Sequence, residues 1–244
     1  MLDFNHRTTP AERLGEIIDQ SFVRRHAGQQ ARDYLGASVV GESCARRIQY
    51  QYFNATRDDD KAISAQTLRI FARGHIMEAA MAEWLRQAGF DLRTHNAEGG
   101  QFGFALAGGK IKGHADGVIV GGPEEFAYPM LWENKALGAK AWKEVNKHKL
   151  AVAKPVYAAQ VALYQTYLDL HRNPALFTAI NCDTMEIYIE LVTFDAALAQ
   201  AASDKAVNII RACDAGELLP RITSDSSWFE CQYCPWQDRC WRPS

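Results

Sequence analysis

The feature that most constrains this chain is the triplet Glu133-Asn134-Lys135 at the end of an apolar, strand-like run. A strand places residues two apart on one face, so Glu133 and Lys135 point the same way. On a covered sheet that puts a carboxylate and an ammonium side by side in a poor solvent for charge, which is costly without a further partner. Asp116, in Gly113-His114-Ala115-Asp116, lies on the preceding strand-like stretch. The two carboxylates meet if these strands are neighbours. Two carboxylates from adjacent strands suit Mg²⁺ or Mn²⁺, hard cations that take oxygen ligands and retain water. Lysine beside them can orient or help deprotonate an attacking water, while the cation polarises a phosphate and stabilises the leaving oxygen.

The cysteines add a second constraint. Cys231, Cys234 and Cys240 fall within ten residues around Pro235-Trp236, and Cys44 stands far upstream. Such clustering reads as ligation of a soft metal rather than as disulfides, which a reducing cytosol disfavours. A cytoplasmic protein is the expectation, because Met1–His6 has no apolar signal core and no run approaches the roughly 18–20 apolar residues that span a bilayer. The net charge of −2 gives no global attraction to nucleic acid, so any DNA contact must rest on local basic patches.

The pattern along the chain predicts an α/β fold in three parts. Residues 1–61 read as a helical N-terminal region carrying Cys44. Residues 62–216 form the core, and residues 217–244 a cysteine-bearing tail that packs back on the N-terminal region. Within the core the expected order is a long helix over 62–88 closed by Gly89, then strands near 101–106, 111–120 and 128–135. Helices over 139–148 and 156–170 follow, then a strand pair over 175–181 and 186–192, and a helix over 196–215. One mixed sheet flanked by helices accommodates this order. Cys182 and Cys213 lie in apolar patterns and read as buried free thiols.

The motifs together resemble the PD-(D/E)xK nuclease superfamily, and within it the RecB-like and Cas4-like exonucleases. The resemblance rests on Gly74-His75-Ile76-Met77-Glu78, Asp116, Glu133/Lys135, and Gln160 with Tyr164 one helical turn later, all in family order. It implies a restriction-endonuclease-like core and a metal-dependent DNA nuclease, an exonuclease acting on ends or single strands in recombination, repair or phage DNA metabolism. Glu78, Asp116 and Glu133 become metal ligands, and Asp116, Glu133, Lys135, Gln160 and Tyr164 catalytic residues. Cys44, Cys231, Cys234 and Cys240 resemble the clasp that holds a [4Fe–4S] cluster in Cas4 and AddB-type nucleases, with structural Zn²⁺ as the alternative. Cas4 proteins carry histidine where this chain has Glu78, whereas phage-type exonucleases of the superfamily carry an acidic residue there, which favours a stand-alone, phage-type nuclease over a CRISPR-adaptation protein. A non-catalytic DNA-binding or assembly subunit that keeps the fold is the other reading, with a recombination protein as its partner. Lys140, Trp142, Lys143 and Lys147, just after the Glu-x-Lys strand, are candidate DNA contacts, the lysines to phosphates and Trp142 by stacking on a base.

Overall fold

The computed structural model describes residues 8–242. Helix α1 (Pro10–Ala27) starts at a capping box between Thr9 and Glu12, with Pro10 where its missing N–H costs nothing. It buries none of its residues. A short strand β1 (Leu35–Gly36) and helix α2 (Ala45–Tyr52) lead to the long helix α3 (Ala65–Gln87). Ser64 caps α3 by accepting from Thr67 N, and the chain leaves it through Gly89 at φ +93°. There follow β2 (Leu92–Arg93), β3 (Gly103–Leu106), β4 (Ile111–His114), β5 (Gly117–Ile119) and β6 (Met130–Leu137). Then come α4 (Ala139–Ala153), α5 (Pro155–Tyr167), β7 (Ala175–Asn181), β8 (Ile187–Val192) and α6 (Ala196–Asp214). Two short helices, α7 (Phe229–Gln232) and α8 (Gln237–Trp241), carry the C-terminal cysteines.

The α/β class holds, but the strands form two sheets rather than one. The larger is mixed, in the order β2-β5-β6-β7-β8, with β6 and β7 parallel and the other pairs antiparallel. The smaller is β1-β4-β3. The expected single strand over 111–120 therefore breaks at Ala115-Asp116. Before the break, Gly113 pairs with Phe104 of β3; after it, Gly117 pairs with Trp132 of β6. One continuous run of residues serves two sheets, and the corner between them is where Asp116 sits.

Helices cover both faces of the larger sheet. On one face Leu131, Leu137, Phe177 and Ala179 pack with Val161 and Leu163 of α5 and Ile209 of α6. On the other, Met130, Trp132, Leu176 and Ile180 lie under Met81, Ala82 and Leu85 of α3. Strand β7 is buried along its whole length, which explains its almost uninterrupted apolar sequence. The expected helix over 139–148 ends where Lys149 departs from helical backbone at φ +67°, and a further turn continues to Ala153.

The tail folds back on the N-terminal region. Buried Gln49 of α2 donates to Glu217 O at 2.6 Å and accepts from Leu219 N at 2.9 Å. Trp236 Nε1 donates to Ala55 O at 2.9 Å, and Asp58 N donates to Pro235 O at 2.9 Å. Among the described residues no helix is long and apolar enough to cross a membrane.

Candidate active site

Asp116, at the corner between the sheets, accepts a hydrogen bond on Oδ2 from Asn134 N at 2.8 Å. The β5–β6 ladder ends at the Gly117–Trp132 pair, so this carboxylate takes the place of a backbone partner for β6. Glu133 and Lys135 share the β6 face that looks toward α5. Glu133 is fully buried. Its Oε1 accepts from Gln160 Nε2 at 2.7 Å and pairs with Lys135 Nζ. Its Oε2 has no hydrogen-bond partner. A buried carboxylate oxygen without a donor is among the costlier defects a core can carry, and the cost is removed either by a proton or by a metal cation.

The expected flanking residues converge on this pair. Gln160 and Tyr164, one turn apart on α5, are both buried. Tyr164 packs edge-on against Phe104, with centroids 5.8 Å apart at 77°. From α3, half-buried Glu78 faces the same region, and His75 Nδ1 stands 3.7 Å from its Oε2.

Electrostatics bind these groups into one site. Burial raises the Glu78 carboxyl, and the negative charge of Asp116 raises it further. Burial likewise raises Asp116, against the lowering effect of Lys135. Glu133 is pushed up to about 8 by burial and then by Asp116, with Lys135 opposing. Burial alone would lower the Lys135 ammonium, but Glu133 and Asp116 outweigh it and hold it raised. The two partners' shifts are compatible: one ammonium faces three acids, so it stays charged while the acids compete for protons. A dipositive ion among the three would satisfy all of them, and the donor set therefore fits Mg²⁺ or Mn²⁺.

A pH prediction follows from Glu133. Between its ordinary value of 4.5 and about 8, the folded protein holds a proton that the unfolded chain releases. Metal-free protein should therefore lose stability as pH rises through that window. Mg²⁺ should restore most at the alkaline end, because ligation needs the deprotonated carboxylate. Thermal melts with and without Mg²⁺ across the window check this, and a Mg²⁺ effect that is flat with pH would contradict it.

Gly113 earns its place by close packing. A Cβ there would lie 2.6 Å from the Phe104 ring and 2.7 Å from Tyr164 Cε1. Gly113→Ala should cost about 1–3 kcal/mol through overpacking and displace Tyr164. Denaturant unfolding measures the loss, and an unchanged midpoint would show that the aromatic pair yields freely.

The cysteines form a second cluster. Cys44, Cys231, Cys234 and Cys240 line one narrow cavity with Arg46, Arg47 and Arg221. Burial raises the Cys231 and Cys234 thiols, and for both the charges of Cys44 and Cys240 raise them further. Arg46 Nη1 donates to Cys240 Sγ at 3.7 Å. Four free cysteines on one cavity are a fitting donor set for a soft metal centre. Among the described residues, however, no group of three His, Cys, Asp or Glu is already drawn tight enough to hold an ion, here or at the carboxylates. Cys213 is buried as expected, but Cys182, expected to be buried too, is half-buried just after β7, and neither lines the cavity.

The stacking role expected of Trp142 fails. Trp142 is buried, and its Nε1 donates to Ala179 O at 3.2 Å. The ring packs α4 onto the sheet and has no face free to stack on a base. Lys140, Lys143 and Lys147 are exposed on the same helix.

Comparison with known proteins identifies the family. A family model of the PD-(D/E)XK nuclease superfamily matches residues 4–241. The chain belongs to that superfamily. Among solved structures similar to this nuclease-family fold, the crystal structure of SSO0001 has a TM-score of 0.53 at 16% identity, over 93% of this chain and 96% of that one. An alkaline exonuclease, LHK-Exo from Laribacter hongkongensis, has a TM-score of 0.51 at 15% identity, over 81% of this chain and 93% of that one. At such identities these likenesses speak to the fold. No curated protein matches the sequence.

Sequence reasoning overlooked Tyr157, whose ring centre lies 5.2 Å from Lys135 Nζ. It stands three residues before Gln160, so helical spacing alone placed it on the same face. Asn134 was read only as a spacer. Its side chain accepts from Thr178 Oγ1 at 2.9 Å, and Thr178 in turn accepts from Trp132 Nε1 at 3.0 Å.

Proposed function

We propose that this protein is a metal-dependent deoxyribonuclease that degrades DNA from its ends. Glu78, Asp116 and Glu133 are assigned to Mg²⁺ or Mn²⁺, and Lys135 to the attacking water. The observation that carries the reading is the buried Glu133 oxygen without a donor, beside Asp116, in a chain of this superfamily. When bound, the cation supplies Lewis acidity to the phosphate and an acidified water. Lys135 remains an ammonium, positioned to orient the water and to offset charge on the phosphate. Gln160 and Lys135 both occupy Glu133 Oε1, which leaves Oε2 for ligation. Tyr164, wedged by Phe104 and Gly113, steadies Gln160.

The four cysteines are assigned to a [4Fe–4S] clasp joining the two ends of the fold, with structural Zn²⁺ as the rival. Support comes from the shared cavity and from Arg46 at Cys240, which offsets thiolate charge. Glu78 in place of histidine supports a stand-alone nuclease over a CRISPR-adaptation protein.

End dependence is supported by the fold likeness to an alkaline exonuclease. It is tested by digesting linear and covalently closed circular single-stranded DNA in Mg²⁺. Linear DNA should fall to mononucleotides while circles survive. Equal loss of both would make the enzyme an endonuclease.

A further inference from the structure

A cavity of about 1100 Å³ lies not among the carboxylates but beside them, between α1, α2 and α3. The chain runs round it. Phe22, Arg25 and His26 of α1 form one wall, and the connection through Arg32 and Tyr34 forms the next. Residues of α2 and then Arg57 follow, and Phe71 and His75 of α3 complete the circuit. The circuit is closed by an ion pair between Asp19 of α1 and Arg69 of α3, and Arg69 also lies over the Phe22 ring.

The lining has an unusual charge. The whole chain is slightly acidic, with 29 Asp and Glu residues. Among the described residues no Asp or Glu lines this cavity, whereas three arginines and two histidines do. Aromatic faces alternate with the cations: Phe22, Tyr34, Tyr52 and Phe71. Arg25 and Arg32 lie over Phe22 and Tyr34, at 5.0 and 5.9 Å from the ring centres. Arginines with no carboxylate among the described residues that line the cavity, interleaved with aromatic rings, suit a phosphate backbone with unpaired bases. A duplex keeps its base faces stacked and offers none to such rings.

His75 links the cavity to the carboxylates. It lines the cavity and stands 3.7 Å from Glu78. Helix α1 itself has no buried residue and no other evident task than to roof this space.

We propose that the cavity is a passage for single-stranded DNA, roofed by α1, that delivers the strand past His75 to Glu78, Asp116 and Glu133. This deepens the nuclease reading and rests on it for the chemistry, but not for the binding.

The test uses Arg25→Gln/Arg32→Gln, two exposed positions away from the carboxylates. Two readouts are taken: fluorescence anisotropy of labelled oligo(dT) in Ca²⁺, and hydrolysis of bis(p-nitrophenyl) phosphate in Mn²⁺. The variant should bind oligo(dT) at least ~10-fold more weakly, with its log–log salt slope shallower by about 1.4, as expected for two lost phosphate contacts on a single strand. Hydrolysis of the small diester should be unchanged, which also shows that the variant is folded. Gln29→Glu/Gln30→Glu, which adds charge of the wrong sign at the same cavity, should weaken binding in the same way. Wild-type protein should prefer oligo(dT) to a blunt duplex of equal length. Unchanged affinity and salt slope in both variants would overturn the proposal. So would a loss of binding confined to Lys140→Gln/Lys143→Gln/Lys147→Gln, which would place the strand on α4 instead. If wild-type protein binds oligo(dT) through this cavity yet hydrolyses neither DNA nor the small diester, the passage stands and the nuclease reading falls.

Discussion

Lys135→Ala is expected to lower DNA cleavage by about 10³-fold, or roughly 4 kcal/mol of transition-state stabilisation, and Asp116→Ala by a similar factor. Lys135 is the single ammonium among three acids, and its Nζ is held against Glu133 at a fixed place on β6. Removing it leaves Glu133 with Gln160 as its one remaining donor. It also removes the group that faces water and phosphate. Asp116→Ala removes an oxygen ligand and the acceptor for Asn134 N at the open end of the ladder. The two variants should differ in one respect. Lys135→Ala should still bind DNA, and it should bind the divalent ion more readily than wild type, because a competing cation has gone. Asp116→Ala should bind the ion poorly. Single-turnover cleavage and ion titration by calorimetry read these outcomes. Near wild-type cleavage by purified, folded Lys135→Ala would show that the active site lies elsewhere.

Cys44→Ala is expected to abolish the cluster and much of the stability. Cys44 precedes the core and caps α2, while Cys231, Cys234 and Cys240 follow the core on α7, α8 and the turn between them. A centre shared by all four closes a loop that contains the whole core. Closure entropy grows only slowly with loop length, so the larger contribution is the binding energy of the centre itself. For structural metals that energy is about 10–16 kcal/mol and appears as folding stability, comparable with the roughly 5–15 kcal/mol that holds a typical domain folded. Anaerobically purified wild type should be brown, with the broad visible absorption that the resemblance to iron–sulfur nucleases implies. Cys231→Ala, Cys234→Ala and Cys240→Ala should lose colour and stability as Cys44→Ala does. Cys182→Ala and Cys213→Ala, outside the cavity, should keep both. A colourless protein carrying one zinc would replace the cluster with a zinc clasp. A metal-free protein indifferent to Cys44→Ala would remove the clasp altogether.

Much of this was legible in the sequence because short-range patterns carried it. The period of two placed Glu133 and Lys135 on one face, and a single helical turn placed Gln160 with Tyr164. Strand β7 announced itself by an apolar run, and Gly89 marked the end of α3. What escaped depended on tertiary pairing. The run from Ile111 to Val120 shifts from alternation in Ile111–His114 to a continuous apolar stretch in Gly117–Val120, but that shift alone does not say that the halves belong to different sheets. The break is imposed by partners, β3 on one side and β6 on the other. Trp142 failed for a related reason. Its lysine neighbours made the helix look like a basic surface, yet helical spacing turns Trp142 and Val145 inward while Lys140, Lys143 and Lys147 stay exposed. The arginines of the α1 cavity were invisible because they are scattered over more than thirty residues and gathered only by the fold.

The central claim is that Glu78, Asp116, Glu133 and Lys135 make one divalent-metal nuclease site, and metal dependence tests it most directly. Protein stripped of divalent ions with EDTA, with its cysteine centre retained, is mixed with end-labelled single-stranded DNA, and Mg²⁺, Mn²⁺ or no ion is then added. The account predicts no cleavage without added ion, rapid release of labelled mononucleotide with either ion, and none from Asp116→Ala under any of the three conditions. Full cleavage by the stripped protein, or by Asp116→Ala in Mg²⁺, would contradict it.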